Sequence, residues 1–170
     1  MRIVAQLRDT TMCVCGEVKL LVLAVGLNFR DVLNVLGLYP GDPGQPGGDN
    51  ASRVAAMGSG IRHLAVGGLA VGHAPAALAS IARTDCRLLA RLAPSLSPEK
   101  ASTLPTTWST VHAVGLRARP RAFDCVLVQA GAGGVGLAAT EYARWLQLAV
   151  CTSAGRPQKH FFVRRLARLP

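Results

Sequence analysis

The sequence predicts an α/β plus β protein, in which an irregular β-rich region precedes a β-α-β unit. Three observations carry this. Through residues 16–73, short apolar runs are cut by glycine, proline and asparagine, as strands are cut by turns. From residue 97 the pattern changes to capped helical segments. Over residues 125–153 an apolar run enters a glycine cluster, leaves as a helical segment and is followed by a second apolar run, the order of a parallel-strand unit.

In chain order, "GEVKLLVLAVGL" (Gly16 to Leu27), "ASRVAAMG" and "HLAVGGLAVGH" read as strands. The segment "NFRDVLNVLGLY" (Asn28 to Tyr39) interrupts them: Phe29, Val32, Leu33 and Leu36 fall at helical spacing, giving a short helix that ends near Gly37. A glycine–proline loop, "YPGDPGQPGGD", follows. In "LSPEKAST", Ser97 can cap a helix with Pro98 at its first position. A helix through "WSTVHAVGLRA", a strand at Cys125 to Ala130, a helix to about Gln147 and a strand at Ala149 to Ser153 complete the reading. The division between the two regimes falls near residue 100, giving regions 1–100 and 101–170.

The 170 residues suffice for one ordinary domain or for parts of two. Half are hydrophobic and few are aromatic, which predicts an aliphatic packed core rather than disorder. Five cysteines with no C-x-x-C pair argue against a disulfide framework and a structural zinc lobe; no metal site is expected, and the compartment should be reducing. The N-terminus lacks the apolar core of a signal sequence and the acid-free pattern of a transit peptide, so the expectation is cytoplasmic. Leu64 to Ala82 is uncharged, but Gly67, Gly68, Gly72, His73 and Pro75 interrupt it, and no membrane span is expected.

The net charge of +10 is uneven. Residues 1–99 carry nine Lys/Arg against seven Asp/Glu, and residues 100–170 carry ten against two. A basic patch suits an anionic surface, nucleic acid or a phosphorylated small molecule. The arginines come without interleaved aromatics that would stack bases, so nucleic acid is not an expected partner.

Gly131, Gly133 and Gly136 match G-x-G-x-x-G directly after an apolar strand and at the mouth of a helix. In that setting the first glycine permits a tight turn, the second lets a pyrophosphate approach the backbone, and the third lets helix and strand pack closely. Gly134 and Val135, inside the turn, offer N–H groups to the anion. An acidic residue after the second strand would hold the ribose 2′-hydroxyl of NAD. Here "TSAGRPQKH" places Ser153, Arg156 and Lys159 where a 2′-phosphate would lie, which favours NADP(H). The other reading of Arg156 and Lys159 is the start of a basic helix.

The blocks "AVGLNFRDVLNVLGLYPGDPG", "GGD", "LSPEKASTLPTTWSTVHA", "AGGVGLAA" and "AGRPQKH" resemble, in order and spacing, segments of the enoyl reductase domain of polyketide and fatty-acid-synthase-like enzymes. That domain is a zinc-free branch of the medium-chain reductases related to quinone oxidoreductase. The resemblance implies a GroES-like β domain followed by a Rossmann domain, with NADPH and substrate between them. It implies hydride transfer to the β-carbon of a 2-enoyl thioester on acyl carrier protein, followed by protonation of the α-carbon. Tyr39 matches a family tyrosine considered as proton donor, and a phenol suits an enolate acceptor. Asn28 and Thr110 match positions on the nicotinamide side; either also suits an ordinary turn or cap. Asn50, Ser52 and Gly68 depart from the family pattern. The family domain is longer than this chain, so the resemblance implies a truncated segment, inactive alone. A quinone or alkenal reductase, or a non-catalytic remnant, is the alternative.

Overall fold

A computed structural model describes residues 11–167. The chain divides into two compact units after Thr106. Both regimes are present, β-rich first and α/β second, and each unit is built by different forces.

The first unit is a five-stranded antiparallel sheet. Its strands are β1 (Glu17–Gly26), β2 (Asp49–Met57), β3 (Leu69–His73), β4 (Ile81–Asp85) and β5 (Leu89–Arg91), in the order β4-β1-β2-β3-β5. In β1 the alternation puts Val18 and Leu20 fully inside, where they meet Val54, Leu64, Ala70, Ala82 and Leu89. This is the period-2 pattern of a sheet with one buried face. A second, smaller cluster joins Ala51, Leu92 and Ala101. The helix α1 (Phe29–Val35) joins β1 to β2, and the single-turn helix α2 (Pro98–Ala101) follows β5. Ser97 caps α2 by accepting from the Lys100 N–H, with Pro98 at the first position, as its sequence requires.

Two short strands lie outside the sequence expectation. The strands β4 and β5 escape a pattern-based reading, because "IARTD" and "LAR" are short and carry charges. The uncharged stretch 64–82 holds β3 and the turns around it; among the described residues no helix is long and apolar enough to cross a membrane. Helix α1 forms where expected, and Gly37 takes a positive φ of 68° just after it. Its apolar residues are not what anchors it. Phe29 is 75% exposed and Leu36 62%, whereas Asp31 is buried.

The second unit is α/β. Helix α3 (Pro105–Ala118) starts at the division, followed by β6 (Cys125–Val128), α4 (Gly134–Trp145), β7 (Ala149–Thr152) and α5 (Pro157–Ala167). The strands β6 and β7 pair in parallel, Cys125 opposite Ala149 and Val128 opposite Thr152, with α4 as the crossover. The first strand stops at Val128, two residues short of the expected end. Ala130 takes a left-handed φ of 53° and turns the chain into the glycine loop. Val126, Val128, Val150 and Thr152 are half-buried, while Cys125, Leu127, Ala149 and Cys151 on the other face are exposed.

Candidate functional site

In the second unit the glycine loop joins the ends of both strands. The Gly131 N–H donates to the Ser153 carbonyl at 2.9 Å, and the Ser153 N–H donates to the Val128 carbonyl at 3.1 Å, so Ser153 is held beside the loop. Gly131 is buried against Thr152, whose Cβ would lie 2.9 Å from an added methyl. Gly136 is tighter still: a Cβ there would come within 2.5 Å of the Ala130 carbonyl oxygen and 2.7 Å of the Gly131 Cα. These two glycines let the helix start close against the strand, as their spacing predicted.

Gly134 answers to something else. An added Cβ would meet only the Thr107 methyl at 3.5 Å, ordinary van der Waals contact, so the chain itself does not demand glycine there. Gly133 caps α4 with extended backbone and no side-chain hydrogen bond. The first intrahelical bond runs from the Leu137 N–H to the Gly133 carbonyl. The N–H groups of Gly134, Val135 and Gly136 are therefore the first-turn donors that a helix leaves unsatisfied, at the positive end of its dipole. Past β7, Arg156 accepts from the N–H groups of Lys159 and His160 at the start of α5. Both Arg156 and Lys159 are exposed, and among the described residues neither has a carboxylate partner. This loop, with its open N–H groups and two cations, fits a dinucleotide carrying a 2′-phosphate.

Thr110 lies on α3, also in the second unit. It lines an apolar groove of about 430 Å³ between α3, β6 and α4, with Val111, Val126, Val135 and Ala139 among its neighbours.

Asn28 and Tyr39 belong to the first unit, at the two ends of the α1 segment. Asn28 is the N-cap residue of α1. Its backbone N–H donates to Asp31 at 2.9 Å, and its side-chain amide donates to Asp49 at 3.1 Å. Asp31 also accepts from the Gly47 N–H at 2.8 Å, which fastens the loop before β2 to the helix. Tyr39 is half-buried. The Arg30 guanidinium sits 5.7 Å from its ring centroid and donates to the Pro43 carbonyl at 2.6 Å, a cation–π contact that fixes the ring.

The residue the sequence reading missed is Asp49. It is 1% exposed and accepts from Asn28 Nδ2 at 3.1 Å, Thr106 N–H at 3.0 Å and Thr106 Oγ1 at 2.6 Å. The His73 ring nitrogen Nδ1 stands 3.6 Å from its other side. A carboxylate at the head of a strand, directly after two glycines, was the available signal, since buried charges persist only where they are paired.

No protein-family profile matches the chain. Individual proteins do. The chain is 42% identical over 152 residues to erythronolide synthase EryA2 of Saccharopolyspora erythraea, which covers 89% of this chain and 4% of that protein. It is 40% identical, again over 89% of this chain, to the spectinabilin polyketide synthase system protein NorB of Streptomyces orinoci, of which it covers 7%. Among solved structures, the CurK enoyl reductase superposes with a TM-score of 0.85 at 30% identity, covering 95% of this chain and 52% of that one. Escherichia coli quinone oxidoreductase complexed with NADPH gives 0.78 at 27% identity, covering 93% and 50%. The chain spans about half the length of these solved reductases and a small part of each synthase. Its antiparallel unit and its β-α-β unit are the GroES-like domain and a partial Rossmann unit of that fold. In sequence the chain is thus similar to polyketide synthase modules, and in fold to the enoyl reductases and quinone oxidoreductases of the medium-chain reductase superfamily.

Proposed function

We propose that the chain is the NADPH-binding and substrate-side segment of an enoyl reductase acting on 2-enoyl thioesters carried by acyl carrier protein during polyketide assembly. The observation that carries this reading is the glycine loop from Gly131 to Gly136 tied to Ser153, with Arg156 and Lys159 following and no carboxylate after β7. A pyrophosphate would be held by the N–H groups of Gly134, Val135 and Gly136. A 2′-phosphate would be held by Arg156 and Lys159, with Ser153 beside it. NADPH supplies hydride for the β-carbon when bound. Tyr39, its ring fixed under Arg30, offers a phenolic proton to the α-carbon. Asn28 serves the nicotinamide side from the N-cap of α1, and Thr110 serves it from α3. The substrate class is supported by polyketide synthases among the relatives and by an enoyl reductase among the similar structures.

The test uses the adenosine half of the cofactor, whose contacts all lie in the second unit. Calorimetric titration of the 170-residue chain with adenosine 2′,5′-bisphosphate should show tighter binding than with adenosine 5′-monophosphate. Replacing Arg156 and Lys159 together by alanine should weaken the bisphosphate by about tenfold or more, given charge-assisted contacts at an exposed site, and leave the monophosphate nearly unchanged. The preference should fall as salt is added. Equal affinity for the two nucleotides would remove the NADP assignment. No binding of either would remove the cofactor role of the loop.

A further inference from the structure

The buried Asp49 carboxylate joins two side chains from different elements. On one side it takes the Asn28 amide from the start of α1; on the other it faces His73 at the end of β3. Thr106 occupies it from a third direction with two bonds. The carboxylate is fully enclosed, but the His73 side chain is 43% exposed. Asp49 and His73 are direct partners in the β2–β3 ladder, so the backbone as well as the side chains holds them together. Gly48 sets the ring's position: a Cβ there would lie 2.5 Å from His73 Cε1 and 2.9 Å from Nδ1. The Cε1 edge of the imidazole therefore occupies the space a Gly48 side chain would take, with Nδ1 3.6 Å from Asp49. Among the described residues, Nε2 has no hydrogen-bond partner.

We propose that His73 is a second proton-transfer residue of this segment, oriented by Asp49 so that Nε2 is the nitrogen at which a proton is taken up and given up. A buried carboxylate behind one ring nitrogen fixes the tautomer and leaves the other nitrogen for chemistry. The 3.6 Å separation is longer than a hydrogen bond, and such contacts often tighten only when substrate is bound. In the reaction proposed above, hydride reaches the β-carbon and leaves an enolate. The Nε2–H bond of the protonated ring then breaks as the α-carbon–hydrogen bond forms; the ring is left neutral, keeps Nδ1–H towards Asp49 and regains a proton from water. His73 shares Asp49 with Asn28, the residue proposed above for the nicotinamide side. The inference rests on the reductase reading only for the identity of the proton acceptor.

Two measurements on the 170-residue chain test it without turnover. Nitrogen-15 spectra of the neutral His73 ring should show the Nδ1–H tautomer, whereas an unassisted imidazole prefers Nε2–H. Diethyl pyrocarbonate, which transfers an ethoxycarbonyl group to a free ring nitrogen and releases ethanol and carbon dioxide, should modify His73 at Nε2 at least tenfold faster than His63. The His63 Nε2 lies 3.0 Å from the Cys86 carbonyl and 3.2 Å from the Leu89 carbonyl and has no such freedom. His73→Gln should delete the fast site, and Asp49→Asn should shift the tautomer towards Nε2–H. Should Asp49→Asn fail to fold, the wild-type tautomer and rate decide. A His73 rate no faster than that of His63, or a neutral ring that carries its proton on Nε2, overturns the proposal. Neither result depends on nucleotide binding, so failure here leaves the cofactor assignment standing, and failure there leaves the dyad standing.

Discussion

Individual glycines in this chain answer to different demands, and the atoms around each one say which. A Cβ added at Gly136 would meet backbone first, at 2.5 Å from the Ala130 carbonyl oxygen and 3.0 Å from its carbon, and backbone cannot swing aside. Gly136→Ala should therefore destabilise the second unit by about 1–3 kcal/mol, the usual cost of overpacking, and weaken nucleotide binding with it. Gly155→Ala is the matched control, since nothing lies within 4 Å of an added Cβ there and no loss is expected. Denaturant titration of both variants checks the contrast, and equal stability of the two would show that the strand and helix separate at little cost. The role of Gly136 was legible in the sequence because the motif is local. The role of Asp49 was not, because its partners lie 21 to 57 residues away and no spacing rule reaches that far.

At the scale of elements, the parallel pair leaves one of its faces exposed. Cys125 and Cys151 lie on the same uncovered face of β6 and β7, one diagonal step apart in register. Diagonal neighbours stand about 7–8 Å apart, beyond the Cα separation a disulfide spans without backbone movement, and both thiols are free. The Cys151 thiol, by hydrogen bonding and charge, pushes the Cys125 thiol above its ordinary value. A smaller thiolate fraction reacts more slowly. At mildly alkaline pH, iodoacetamide should label Cys125 more slowly than the exposed Cys15, and Cys151→Ala should speed Cys125 up; mass spectrometry of the labelled peptides reads both rates. Unchanged labelling in that variant would mean the two thiols do not interact. Helix α1 teaches a related lesson. Its apolar spacing revealed a helix, yet Asp31 and Asn28 fasten it, while Phe29, Val35 and Leu36 stay outside. Periodicity reports the element, and polar anchors report its seat.

Across the whole molecule, stability should be divided as unequally as the core. Both buried apolar clusters lie in the antiparallel unit, where Val18, Leu20, Ala51, Val54 and Ala70 are nearly or fully enclosed. Among the described residues of the α/β unit the buried apolar side chains are Val111, Ala138 and Ala143, and a cavity of about 690 Å³ opens between α4, β7 and α5. Local opening free energies follow such differences in enclosure. In hydrogen exchange, the amides of β1 and β2 should be the slowest and those of β6 and β7 markedly faster, with the two units exchanging as separate groups. A ligand that binds only the folded second unit stabilises it by mass action, about 2.7 kcal/mol at a hundred times its dissociation constant. Adenosine 2′,5′-bisphosphate should accordingly slow exchange in β6, β7 and the first turn of α4 and leave β1 and β2 unchanged. Protection spreading to the first unit would show that the two units open together, and no protection in β6 and β7 at saturating nucleotide would place its site away from the glycine loop.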